Sequence, residues 1–153
     1  MPKGDKAEAL METLIDVVWT AHKLRAAGSG TGAVNASGGG TWGVLHTLVL
    51  HGPKTVPQIA RMRPVARQHI QTLANELAGQ GLITFQDNPN HKRSKLVVLT
   101  EAGKAHHDKV KTGLLKALGE ISRDLAQDDV EATARVLTHI MTELDRRIAA
   151  DEA

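Results

Sequence analysis

Apolar side chains recur at helical spacing near both ends of this chain. From about Asp5 to Ala26, Leu10, Leu14, Val17, Val18, Ala21 and Leu24 fall mostly three or four residues apart, which predicts an amphipathic first helix. Toward the other end Val130, Ala134, Leu137, Met141, Leu144 and Ile148 step by four, three, four, three and four. That is the seam of a helix packed against another along its whole length.

The middle of the chain breaks into shorter units. Thr41 to His51 reads as a helix with Val44, Leu45, Leu48 and Val49 inward, stopped by Gly52-Pro53. A short helix from Val56 to Met62 turns Ile59 inward. Pro64 suits the first turn of the next helix, which carries Val65, Ile70, Leu73 and Leu77 toward the core and ends at Gly79 and Gly81. Two β-prone runs, Leu82 to Gln86 and Lys95 to Leu99, flank the polar loop Asn88, Pro89, Asn90, His91, Lys92, Arg93, Ser94 and predict a hairpin. Thr100 and Glu101 then open a long helix to about Leu125, with Val110, Leu114, Leu118 and Ile121 inward. The fold expected is mainly α with a small β-hairpin wing. A winged helix-turn-helix lobe spans 41–100, and a helical dimerisation region spans 5–27 and 101–150 within a single domain, 1–153.

Residues 28–40 contain six glycines and read as a flexible connection. A phosphate-cradling loop is excluded there, because no strand precedes it and no Lys-Ser or Lys-Thr follows. Cysteine is absent, which removes disulfides, thiolate metal sites and thiol redox switching. The amino terminus is charged and no run of eighteen apolar residues exists, so a cytoplasmic protein with no membrane partner is expected.

Charge sharpens the picture. Net charge is only +2, but Lys54 to Lys111 holds ten basic residues against Glu76, Asp87, Glu101 and Asp108. Such asymmetry is the footprint of a domain that meets a polyanion through its middle. The candidate contacts to double-stranded DNA are Arg63, Ala66, Arg67, Gln68, His69, Gln71 and Thr72 around the second helix of the motif, and Lys92, Arg93 and Lys95 on the wing. Arginine and glutamine suit guanine and adenine edges in a major groove, and a basic hairpin loop suits the flanking backbone or minor groove.

The run IARMRPVARQHIQTLANELAGQGLI from Ile59 to Ile83, followed by NPNHKRSKLVVLTEAGK from Asn88 to Lys104, resembles the MarR family of bacterial transcriptional regulators. The resemblance implies a homodimeric, ligand-responsive repressor on a pseudo-palindromic operator. It also implies a small aromatic or phenolic effector between the dimerisation helices and the lobe, with Trp19, His22, Arg25, Trp42 and His46 as wall residues. The dimer interface is expected at Leu10, Leu14, Val130, Leu137, Met141, Leu144 and Ile148. Three positions depart from the family pattern: Pro64 and Ala66 stand where glycine and serine are usual, and His91 replaces the common wing aspartate. The first two predict a recognition helix that begins a turn early.

Two other readings compete. A helical dimer whose winged module binds a protein partner would share the same periodicities. A metal-dependent enzyme would need ligands, yet the adjacent His106 and His107 point about 100° apart on a helix, and no two histidines stand four apart. No enzyme signature is present, and no cofactor or metal is expected.

Overall fold

The computed structural model describes residues 5–27, 40–63 and 65–151. The glycine-rich connection therefore lies outside the described residues except for Gly40, and so does Pro64. In chain order the elements are α1 (Lys6–Ala27), α2 (Gly40–His51), β1 (Lys54–Thr55), α3 (Val56–Met62), α4 (Arg67–Gly79), β2 (Ile83–Gln86), β3 (Leu96–Leu99), α5 (Glu101–Ile121), a 3-10 turn (Ser122–Asp124) and α6 (Gln127–Asp151). The chain divides into two compact units, Met1–Leu114 and Leu115–Ala153.

The first unit holds the core. Val44, Leu45 and Leu48 of α2 meet Val56, Ile59 and Ala60 of α3, Ile70, Ala74 and Leu77 of α4, and Leu82, Ile83 and Val97 of the hairpin; Val65, Leu73, Ala78, Phe85 and Leu99 pack at its edge. Val49 does not join them and stays 40% exposed, because α2 turns only the stripe of Val44, Leu45 and Leu48 inward. The sheet has three strands in the order β1-β3-β2, all antiparallel, with Phe85 and Lys54 flanking Val97 from opposite sides. Nothing in the sequence pattern predicts strand β1. This is the winged helix-turn-helix arrangement, with β1 closing the free edge of the wing.

Helix α5 enters this unit through a close contact. A Cβ at Gly103 would overlap the carbonyl oxygen of Leu82, so the helix lies directly on the backbone leading into β2. The buried residues of α5 are Gly103 and His107, with Val110 and Leu114 half-buried. Leu118 and Ile121, expected inward, are exposed, and the helix ends at Ile121 rather than near Leu125.

The second unit has no buried residue among those described. On α6, Val130, Met141, Leu144 and Ile148 are each about half exposed, as are Ile121 and Leu125 before it. Glu143 accepts hydrogen bonds from Arg146 and Arg147, which hold its carboxyl down to about 2. Among the described residues, no helix is long and apolar enough to cross a membrane.

Candidate nucleic-acid interface

Local chemistry sets the two helices of the motif. Thr55 and Gln58 form a reciprocal cap on α3: the Gln58 amide donates to Thr55 Oγ1 at 3.3 Å and the Thr55 amide donates to Gln58 Oε1 at 2.9 Å. Helix α4 begins at Arg67 with Ala66 as its N-cap, and Ala66 supplies no side-chain hydrogen bond. The early start expected from the sequence does not occur. Ala66 instead gives its carbonyl to the amides of His69 and Ile70.

At its other end α4 closes with two bonds, Leu82 N–H to the Leu77 carbonyl at 2.9 Å and Gly81 N–H to that of Ala78 at 3.0 Å. Gly81 takes φ +72° there, the left-handed geometry this closure needs. Thr100 ties that corner to α5. Its hydroxyl donates to the Gly81 carbonyl at 2.8 Å and accepts from the Gly103 amide at 2.9 Å.

The wing loop is ordered by its own backbone. The Asn88 side chain accepts from the Asn90 amide at 3.0 Å, the Asn88 carbonyl from the His91 amide at 3.2 Å, and the His91 carbonyl from the Ser94 amide at 3.3 Å. Lys92 and Arg93 are left exposed, with no ion-pair partner for either among the described residues. A pairing of Arg93 with Asp87 across the hairpin is therefore not formed.

Between α4 and the wing lies a cleft of about 600 Å³ lined by Arg67, Gln68, Gln71, Arg93, Ser94 and Lys95 over a floor of Val56, Pro57 and Phe85. Its lining holds three cations and no carboxylate. Arg61 and Lys54 join Arg67 and His91 around a second hollow, which shares Pro57, Arg67 and Ser94 with the first and again has no carboxylate. Lys54 is partly committed, donating to the His51 carbonyl at 2.9 Å. Sequence reasoning misses Arg61 because it lies on the short first helix of the motif, where periodicity marks only the inward Ile59.

The remaining sequence candidates fall in different places. Gln71 donates to Asn75 at 2.9 Å and keeps its carbonyl for a base edge, whereas Thr72 spends its hydroxyl proton on the Gln68 carbonyl at 3.0 Å. His69 is half-buried, and its Nε2 is buried without a hydrogen-bond partner, so it is not the free surface donor expected. Arg63 departs further. Its guanidinium lies against Gly43 of α2, and burial lowers its pKa. It supports the lobe from behind instead of joining the cleft.

Of the expected effector wall, Trp42 and His46 are together and have gained a member. The Trp42 indole lies parallel to both the His46 and His107 rings, with centroids at 4.7 and 5.2 Å, and its Nε1 donates to the His107 carbonyl at 3.3 Å. Trp19 is 64% exposed and lines the apolar face of α1 with Leu10, Met11, Leu14, Ile15 and Val18. His22 is on the exposed surface of the same helix, and the side chain of Arg25 lies outside the described residues.

Comparison with known proteins agrees with this geometry. A model of the MarR family matches residues 38–94. An uncharacterized protein of Mycobacterium tuberculosis is 36% identical over 98 residues, 64% of this chain and 68% of that protein. The transcriptional activatory protein BadR of Rhodopseudomonas palustris is 30% identical over 125 residues, 77% of this chain and 71% of its own. Among solved structures, a MarR-family regulator from Rhodococcus superposes with a TM-score of 0.70 at 20% identity, covering 90% of this chain and 96% of that one. BpsR of Bordetella bronchiseptica does so at 0.68 and 14%, covering 90% and 96%.

Proposed function

Because the chain belongs to the MarR family of transcription regulators, and is by that membership a DNA-binding protein and not an enzyme, we propose that it works as a homodimeric, ligand-responsive repressor on a pseudo-palindromic operator. One observation carries the DNA-reading part of this proposal: the cleft in which Arg67, Gln68 and Gln71 of α4 face Arg93 and Lys95 of the wing with no carboxylate between them. The helix presents side chains that discriminate base edges, and the wing presents cations to the flanking backbone. Two copies related by a two-fold axis would place two such helices about one helical turn apart.

An effector acts in this scheme by favouring one spacing of the two lobes over another. The DNA binding of BpsR is regulated by 6-hydroxynicotinic acid. A small aromatic compound of that kind suits the indole and imidazole surface of Trp42 and His46. Trp19, His22 and Arg25 remain the proposed contributors from α1.

The salt dependence of binding to a duplex selected from a random library separates this reading from a protein-binding role. Neutralising several phosphates gives a steep decline of log affinity with log salt, and a flat line would remove the DNA reading. Within that assay Arg67→Ala and Gln68→Ala should each cost about 1 to 3 kcal/mol on the selected duplex and less on random DNA. Equal losses on both would reassign them to phosphate contact.

Arg93→Ala should act differently. A planar guanidinium at the wing suits a narrow, strongly negative minor groove. Its loss should weaken binding to both DNAs and flatten the salt slope by about 2 per dimer, with little change in melting temperature. Unchanged binding with a lowered melting temperature would make Arg93 a structural residue.

A further inference from the structure

Behind the reading lobe, where α2 meets α5, two histidines share a proton. His46 Nδ1 and His107 Nε2 stand 3.0 Å apart. The ring centroids are 5.3 Å apart and the planes differ by 11°, so the rings lie edge to edge, nearly coplanar, with the bond along the line between them. Trp42 covers both rings from one face. His107 is 1% exposed, and its other nitrogen, Nδ1, is 3.0 Å from Asp108 Oδ1.

Chemistry fixes who donates. An ionised carboxylate only accepts, so His107 Nδ1 carries a proton toward Asp108 and the neutral ring leaves Nε2 bare. His46 Nδ1–H must then be the donor to His107. Both rings are satisfied when both are neutral. A further proton on His107 would set two N–H groups against each other and break the 3.0 Å bond. A further proton on His46 would place a cation among like charges. Among the described residues, the groups facing His46 are His51 on α2, Arg63 after α3, and His107 and Lys111 on α5, with the carboxylate of Asp108 reached through His107.

Helix α2 connects this joint to the cleft. Its Val44, Leu45 and Leu48 pack against Ile70, Ala74 and Leu77 of α4 in the core, while Gly43, one turn before His46, carries the Arg63 guanidinium. Resting on the DNA-binding reading above, we propose that the His46–His107 pair is a proton-operated joint between α2 and α5, through which acidification loosens the seating of the reading lobe and weakens DNA binding. Burial, together with the neighbouring cationic groups, lowers the His46 pKa from the usual histidine value. A histidine whose folded value is depressed contributes its stability fully above the unfolded value, near pH 6.5, and loses it as pH falls toward the folded one.

The sign of the effect identifies its source. A proton gained at the phosphate-facing surface would add positive charge there and strengthen binding in acid. The joint works in the opposite direction.

The test uses the full chain and a duplex selected by it from a random library. His46→Asn keeps an N–H donor near the position of Nδ1 and cannot titrate. The ratio of affinity at about pH 7.5 to affinity at about pH 5.5 should fall on the order of tenfold in this variant. Without DNA, the His46 ring resonance, assigned by its absence from the variant, should titrate below about pH 6.5, and Lys111→Gln should raise its midpoint. That second measurement stands even if the protein selects no duplex, which would sink the DNA reading alone. Titration of His46 at or above about pH 6.5, or an unchanged affinity ratio in a variant folded by circular dichroism, overturns the joint.

Discussion

Leu137→Asp combined with Leu144→Asp should yield a protein that is monomeric or unfolded and has lost its affinity for DNA. Val130, Met141, Leu144 and Ile148 expose about half their surface on a helix with no buried residue, and Leu137 sits in the same stripe. Such a row is too large to leave in water on a chain of this size, and its alternating steps of four and three match a seam closed by a second helix. Each aspartate would place a carboxylate in that seam, where burial of an unpaired charge costs several kcal/mol. Two copies double the penalty. A dimeric regulator reads two half-sites at once, so separation of the copies should remove most of the affinity without any change in the cleft. Sedimentation equilibrium with circular dichroism tests this: a folded dimer of unchanged affinity would place the interface elsewhere, with Leu10 and Leu14 of α1 as the remaining expected contributors.

Gly103→Ala should destabilise the protein by about 3 kcal/mol or more. The added methyl would overlap the Leu82 carbonyl oxygen, which is backbone and cannot swing aside, and would also crowd the Leu99 side chain. Relief requires α5 to lift from the corner where Thr100 grips Gly81, or α4 to give up the closure at Leu82. Urea unfolding of the variant should show a lowered midpoint. A contrasting control is Gly43→Ala, where the obstacle is the end of the long Arg63 side chain, which can move. The smaller loss expected there separates a backbone collision from a side-chain one. Equal midpoints for Gly103→Ala and wild type would show that the α5 contact is looser than its geometry.

Much of this architecture is legible in the residues because local chemistry decides it. Helix α3 begins and ends where its sequence predicts, since Thr55, Pro57 and Gln58 make a start signal that needs no tertiary help. The hairpin is readable from its β-prone flanks and polar loop. What escapes is settled between distant parts of the chain. Strand β1 is two residues long and exists only because Val97 pairs with Lys54. Arg63 looks like part of a basic patch, yet the missing side chain of Gly43, twenty residues earlier, gives its guanidinium a place on α2. From sequence alone His107 reads as a poor metal ligand beside His106. Its position four residues after Gly103 and three before Val110 sets it on the inward stripe of α5, but apolar periodicity cannot announce a polar member of a core. In the candidate cleft, Arg67, Gln68, Gln71, Arg93 and Lys95 all follow from residue type and place in the motif. Ser94 and Phe85 do not, because their place depends on how the wing folds back over α3 and α4.

The uncapped start of α4 has a thermodynamic consequence. Without a side-chain acceptor from Ala66, the opening turn that carries Arg67 and Gln68 is the least secure turn of that helix. Its amides should exchange with solvent faster than those near Ala74 and Leu77, which are anchored in the core. The end of the helix proposed to read DNA is thus also its fraying end. Engagement of a duplex must quench that motion, so part of the contact enthalpy is returned as lost conformational entropy, and a sequence that holds the turn poorly is rejected by a larger margin than its missing contacts alone would give.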